Sequence, residues 1–159
     1  MPSALAEQTM QTLEVRRNID IAAPIDIVFE TTLEQMGPFI ACPGGPPLSM
    51  TLEAWPGGRW FRDLGNNTGQ LWGHVQSIVP PSRLELQGPM FIAAPVLCHI
   101  LYELTSEGGQ THIAFSHRIV GLIPPDLLDG IEINQGWTDL FDRLQIQVAQ
   151  RIASAHSAQ

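Results

Sequence analysis

Apolar and polar residues alternate near the beginning of the chain, as they do in a β-strand with one buried face. The apolar members of this pattern are Leu13, Val15, Ile19 and Ile21. Because neighbouring side chains of a strand point to opposite faces, the alternation predicts a half-buried strand over Leu13–Ile21. Arg17 falls on the apolar face, so it either pairs with a carboxylate or lies at an open end of the strand. The open end is favoured, because charge is seldom buried.

Two segments show the three- and four-residue steps of a helix instead. In the first, Pro24 suits an initial helical position and Gly37 marks the end. The apolar face between them carries Val28, Phe29, Thr32 and Leu33. In the second, the apolar positions are Trp137, Leu140, Phe141, Leu144, Val148 and Ile152. These spacings predict a short helix and a long amphipathic C-terminal helix that Asn134 caps.

Short strands separated by turn residues fill the region between the two helices. They are predicted over Leu48–Trp55, Arg59–Leu64, Gln70–Val79, Leu84–Gln87, Val96–Leu104 and Thr111–Val120. The turns come from segments rich in Gly, Pro and Asn, and the loop Ser106–Gln110 joins the last two strands as a hairpin. Strand, short helix, meander and long helix predict an α+β fold in which a curved antiparallel sheet wraps around the C-terminal helix. A chain of 159 residues fits one domain over 1–159, with its core at about 13–152.

The charge balance excludes several classes of function. The chain has 16 acidic and 8 basic residues and a net charge of −8, which leaves little to neutralise phosphates, so nucleic acid is not an expected partner. Every basic residue is Arg, which excludes a Schiff-base lysine and a P-loop lysine. No signal peptide is recognisable in Met1–Gln11, so a cytoplasmic location is expected. The uncharged stretch Leu86–Tyr102 is interrupted by Gly and Pro and is not expected to span a membrane.

Several segments together carry a resemblance to a known superfamily. They are Ile21–Pro24 leading to Val28-Phe29, Pro56–Trp60, Gly73-His74-Val75, Pro80–Leu84, Tyr102-Glu103-Leu104, Gly109-Gln110-Thr111, Phe115-Ser116-His117 and Gly136-Trp137. In this order, over about Leu13–Ile152, the chain resembles the START-like, helix-grip superfamily known as SRPBCC. Within it the chain is similar to the branch of chaperone ATPase activator homologues and polyketide-cyclase-like proteins. It departs from that branch at Phe39–Cys42, where a Trp is usual.

Strand parity and helical spacing place one set of side chains on a shared inner wall. The members of this candidate ligand-binding wall are Val28, Phe29, Cys98, Ile100, Tyr102, Ile113, Phe115, His117, Trp137, Phe141 and Leu144. His117 is the sharpest functional candidate, because an imidazole on an apolar face can orient a ligand or act as a general base. A hydrogen-bonded core histidine is the competing interpretation. Tyr102 equally suits a ligand contact or a satisfied buried tyrosine.

The sequence gives little indication of a metal site, a cofactor site or a paired-carboxylate site. His112 and His117 are five residues apart on one strand and point to opposite faces, so no metal site is expected, and no cofactor is indicated by any motif. The carboxylates Glu53, Glu85 and Glu103 fall opposite the inner wall, which favours a solvated outer face over paired-carboxylate hydrolysis. Alternation does not place Trp60, because the preceding Gly pair can shift the register.

The resemblance implies binding of a hydrophobic or aromatic small molecule between sheet and C-terminal helix. Two alternatives stay open: a polyketide-cyclase-like or hydrolase-like enzyme using His117 and Tyr102, and a chaperone ATPase activator-like interaction module. On the opposite face, Leu97, His99 and Leu101, with Trp72 and His74 on another strand, are expected to form an apolar outer surface. A core cluster of Trp55, Trp60 and Trp72, at a bend of the strands, is an equal alternative. Such a surface indicates association, and a homodimer is the expected form.

Overall fold

A curved antiparallel sheet and a long C-terminal helix make up the fold, which confirms the predicted α+β helix-grip architecture. The computed structural model describes residues 8–38, 40, 46 and 48–157. The strands are β1 Gln11–Ile21, β2 Met50–Leu52, β3 Arg59–Gly65, β4 Thr68–Val79, β5 Arg83–Gly88, β6 Val96–Glu107 and β7 Gln110–Gly121. The helices are α1 Ile25–Met36 and α2 Ile131–Ser157, and a 3₁₀ turn spans Pro125–Leu127. None of the helices described is both long and apolar enough to cross a membrane.

The sheet has seven strands in the order β1-β7-β6-β5-β4-β3-β2, and all neighbours are antiparallel. β2 to β7 follow one another as a meander, whereas β1, the first strand in the sequence, pairs with β7, the last strand. Val15 and Ile21 of β1 are buried, as the alternation predicts. Arg17, between them, donates to the Asn134 and Thr138 side chains of α2 rather than to a carboxylate. Its guanidinium therefore links the sheet edge to the start of the helix.

The β6–β7 hairpin is tighter than the sequence indicates. The register runs from Val96 opposite Gly121 to Glu107 opposite Gln110, so only Gly108 and Gly109 form the loop. Both have positive φ, at 59° and 84°, which two-residue hairpin turns require and glycine supplies without strain. The predicted five-residue loop was too long because strand pairing continues through Ser106, Glu107 and Gln110.

The predicted extent of the strand before Arg59 and the predicted cap of α2 are wrong, whereas the other strands extend one to three residues beyond their predicted bounds. The strand expected over Leu48–Trp55 is limited to β2, Met50–Leu52, because Ser49 has a positive φ of 55° and the backbone N–H of Trp55 already turns back to the Glu53 carbonyl. Asn134 does not cap α2, since it lies within the helix. The helix begins at Ile131, whose backbone N–H donates to the Asp129 carboxylate at 3.0 Å, and Asn134 itself donates to the Gly130 carbonyl.

Of the two positions that the sequence left open for Trp72, on the outer face or in the core, the structure shows the core. The β3–β4 register pairs Trp60 with Gly73 and then Phe61 with Leu71, which leaves Trp72 without an opposite residue in a β-bulge. A bulge breaks the alternation of faces, and Trp72 is buried, with its ring centroid 5.1 Å from that of Trp60. Trp60, which the sequence could not place, is 1% exposed and donates its indole N–H to the Met36 carbonyl.

Candidate functional site

The residues predicted for the inner wall all lie inside the molecule, and none is more than 5% exposed. β6 contributes Cys98, Ile100 and Tyr102, and β7 contributes Ile113, Phe115 and His117. α1 supplies Val28 and Phe29, and α2 supplies Trp137, Phe141 and Leu144. Strand alternation and the helical step of three to four residues therefore bring the predicted set into one core. Phe39, Ala41 and Cys42 of the departing segment lie outside the described residues.

Aromatic rings from the sheet and α2 contact one another at the centre of this core. Phe115 lies between the others, with ring centroids 4.5 Å from Trp137, 4.9 Å from Tyr102 and 5.0 Å from Phe141. The wall is thus built for aromatic contact, and its rings pack on each other in this structure.

His117 is the polar centre of the wall. The indole N–H of Trp137 donates to His117 Nδ1 at 2.8 Å, and the ring centroids of the two side chains are 5.5 Å apart in an edge-on arrangement. His117 Nε2 is buried and has no hydrogen-bond partner among the described residues. Desolvation lowers the pKa of His117 to about 4, so the ring is neutral near pH 7. The sequence predicted that His117 lies on the inner wall, but it did not predict the hydrogen bond to Trp137.

Tyr102 lies beside this centre and faces a different neighbour. Its hydroxyl donates to Met36 Sδ at 3.5 Å, a weak acceptor at the C-terminal end of α1. Burial raises the pKa of Tyr102 well above its usual range, so the group stays a neutral donor. Phe115 is opposite Tyr102 in the register, while Ile100 is opposite His117. The two candidate acid-base groups are therefore each directed to a separate partner.

The α1 side of the interior holds a further polar group that sequence reasoning missed. Gln35 is 2% exposed, and its Oε1 has no hydrogen-bond partner in the described chain. Nearby on the same helix, the Thr32 hydroxyl donates to the Val28 carbonyl at 2.8 Å and is satisfied. The sequence did not predict a buried Gln35, because the buried face of the helix was defined by its apolar residues. A polar amide at the edge of that face is ordinarily expected to be exposed to solvent.

The remaining candidates lie outside the inner wall or have little reactivity. Glu53 accepts from Arg59, and Glu103 lies 3.7 Å from Arg83, as expected for an outer face. Hydrogen bonds from His99 and Ser77 hold the pKa of Glu85 below its usual range. Burial raises the pKa of the free Cys98 thiol to about 12, which makes it a poor nucleophile. In the part of the chain described, His, Cys, Asp and Glu form no group of three suited to a metal.

A family model connects this architecture with known proteins. The model described as "Activator of Hsp90 ATPase homolog 1-like protein" matches residues 22–149, which include β2 to β7, α1 and most of α2. The chain belongs to this family. The match agrees with the resemblance to the chaperone ATPase activator homologues and polyketide-cyclase-like branch of the SRPBCC superfamily. No curated protein matches the chain.

Solved structures share the fold at low sequence identity. An uncharacterized protein from Rhizobium leguminosarum is similar with a TM-score of 0.69 and 22% identity, over 91% of this chain and 99% of that one. CalU16 from Micromonospora echinospora is similar with a TM-score of 0.57 and 17% identity, over 96% of each chain. DynU16, a protein of the dynemicin biosynthetic locus, has a TM-score of 0.57 and 19% identity, over 86% of this chain and 47% of its own.

Proposed function

We propose that the protein binds a hydrophobic or aromatic small molecule between the sheet and α2, with His117 as the polar contact. The observation that carries this proposal is the unpartnered Nε2 of His117, buried in a wall of aromatic and aliphatic side chains. A buried polar atom without a partner costs about 1–3 kcal/mol, and protein interiors rarely keep one without a role. A ligand oxygen at this position would remove that cost.

The ligand enters by separating rings that now touch. Phe141 meets Tyr102, Phe115 and Trp137, and it is the one of these four rings that comes from the middle of α2. A change of its rotamer, or a small shift of α2 away from the sheet, opens a space between Phe141 and the rings of Tyr102 and Phe115. Side-chain movements of this kind are common when proteins bind ligands.

The comparisons support a small-molecule function of this kind. The family and the fold place the chain among proteins whose architecture fits ligand binding. DynU16, which shares the fold, is a protein of the dynemicin biosynthetic locus, and this is consistent with the proposal. Binding is favoured over acid-base catalysis because Trp137 occupies His117 Nδ1 and the Tyr102 hydroxyl is directed to Met36.

Prodan, an environment-sensitive aromatic ketone, is a suitable probe for the inner wall. Added to the wild-type protein, it should show blue-shifted emission and quench tryptophan fluorescence. In methyl-labelled protein the signals of Ile100, Ile113 and Leu144 should move on titration, and those of Leu97 and Val120 on the outer face should not. This measurement needs no variant. Shifts confined to the outer-face methyls, or no binding at all, would overturn the proposal.

A pair of tryptophan substitutions gives a second test. Trp137→Ala removes a wall member and should weaken prodan binding at least several-fold. Trp55→Ala is the matched control, because Trp55 is 57% exposed and lies outside the wall, and it should leave the affinity unchanged. Circular dichroism shows whether each variant is folded. Equal affinity in a folded Trp137→Ala protein means that α2 does not form the wall.

A further inference from the structure

We infer, resting on the proposed binding function, that Trp137 fixes the tautomer of His117 and so makes the site selective for ligands with a hydrogen-bond acceptor. Aromatic ketones are the chemical class that fits best. Trp137 acts here as a positioning residue, since it works through His117.

The tautomer follows from the donor that faces His117. An indole N–H can only donate, and it lies 2.8 Å from His117 Nδ1. That nitrogen must therefore present a lone pair. A neutral imidazole carries one proton, so the proton is on Nε2, which is the buried atom without a protein partner among the described residues.

Packing keeps this arrangement in place. Trp137 is 5% exposed, and its ring contacts Phe115 at 4.5 Å between centroids as well as His117 at 5.5 Å. The opposite tautomer would place two N–H donors against each other in an apolar interior, where unpaired polar groups are expensive. The indole thus selects one tautomer without itself meeting a ligand oxygen.

The proton on His117 Nε2 determines which ligands can form a hydrogen bond at this position. The side chain offers one N–H donor at Nε2 and no acceptor, because Nδ1 is already occupied. A ligand carbonyl oxygen can accept this bond, whereas a purely hydrocarbon ring leaves the donor unpaired and a donor-only ligand meets another donor. The rings of Phe115 and Phe141, which contact Trp137, favour a flat aromatic body. Together these features describe an aryl ketone.

The tautomer is measurable without any ligand. Long-range ¹H–¹⁵N correlation spectra of the wild-type protein near pH 7 should show His117 with a protonated Nε2 and an unprotonated Nδ1. In Trp137→Phe, which keeps an aromatic ring but removes the donor, the two nitrogens should shift toward a mixture. A protonated Nδ1 in the wild-type protein would overturn the inference.

Selectivity is measured with two probes of nearly equal shape, 2-acetylnaphthalene and 2-isopropenylnaphthalene, which differ in a carbonyl oxygen against a methylene. The ratio of their dissociation constants should favour the ketone about 5-fold more in the wild type than in His117→Phe. This corresponds to about 1 kcal/mol for one hydrogen bond. Comparing ratios cancels the different hydration of the two probes.

The possible results separate the two proposals. If both naphthalenes bind but the ratio is the same in wild type and His117→Phe, the selectivity inference fails while the proposed binding function stands. If neither binds the wild-type protein, both fail. Should His117→Phe not fold because Trp137 loses its acceptor, the double variant His117→Phe, Trp137→Phe replaces both partners by apolar rings and serves instead.

Discussion

His117 stays neutral because of its surroundings, not because of a charged neighbour. Burial lowers its pKa from the usual 6.5 to about 4, and the Trp137 donor acts in the same direction, because a protonated ring would present N–H groups on both sides. Between these two values the unfolded chain takes up a proton that the folded protein does not. The free energy of unfolding should therefore fall as the pH drops from about 6.5 to about 4.

The expected loss is about 3 kcal/mol over that interval, and it is complete below pH 4. Urea unfolding at pH 7, 6, 5 and 4 measures it, with His117→Phe as the comparison, since the other histidines are present in both proteins. The wild type should lose more stability than the variant at each step. Parallel losses in the two proteins would show that His117 is accessible to solvent.

The sequence predicted which residues face inward but not which of them touch. Parity along β7 is enough to place His117 beside Phe115 on the inner face. The bond to Trp137 depends on how far α2 is rotated and shifted over the sheet, which no local pattern encodes. The same limit explains why the partner of Trp60, the Met36 carbonyl at the end of α1, could not be predicted.

At the scale of whole elements, substitution of two glycines by alanine should change the free energy of unfolding in opposite directions. Gly136 lies in the second turn of α2, and a Cβ added there would meet no atom within 4 Å. Because glycine is a poor helix former, Gly136→Ala should raise the free energy of unfolding by up to about 1 kcal/mol. Thermal unfolding followed by circular dichroism would show this as a higher melting temperature.

Gly73 in β4 is the contrasting position. A Cβ there would lie 2.5 Å from the Gln87 backbone oxygen of β5, so the two strands would have to move apart. Gly73→Ala should therefore lower the stability, by about 2 kcal/mol on the scale of overpacked interiors. If Gly73→Ala leaves the stability unchanged or raises it, the close approach of β4 and β5 is not present in solution.

The elements themselves were predicted well where a pattern is long, and less well where backbone geometry intervenes. The periodicity of α2 and the alternation of β6 and β7 each extend over many residues. The position of Trp72 depends instead on one extra residue in β4, and a bulge leaves no signature in the alternation of apolar and polar residues.

At the scale of the whole molecule, the outer face of the sheet bears on association. Leu97 and Val120 lie directly opposite each other on β6 and β7 and are 46% and 41% exposed, while Leu101 is half-buried. The homodimer expected from the sequence stays a prediction. The net charge of −8 opposes random aggregation. In a homodimer, the outer face of a second protomer would cover Leu97 and Val120.

Leu97→Glu should give a folded monomer, because a carboxylate buried at an interface without a partner is costly. The matched control is Leu64→Glu, at a side chain that is 57% exposed at the end of β3. Light scattering over a concentration series compares them. A wild-type protein that remains monomeric at high micromolar concentration would show that the homodimer prediction is wrong.

The pairing of β1 with β7 has a consequence for how the chain acquires its structure. Gln11 lies opposite Gly121 and Ile21 opposite Thr111, so every contact of this pair closes a loop of about ninety residues or more. The β6–β7 hairpin closes over two residues and can form early. During synthesis β1 leaves the ribosome first, yet its partner strand is made only after most of the sheet, so β1 must wait for β7 before it can pair.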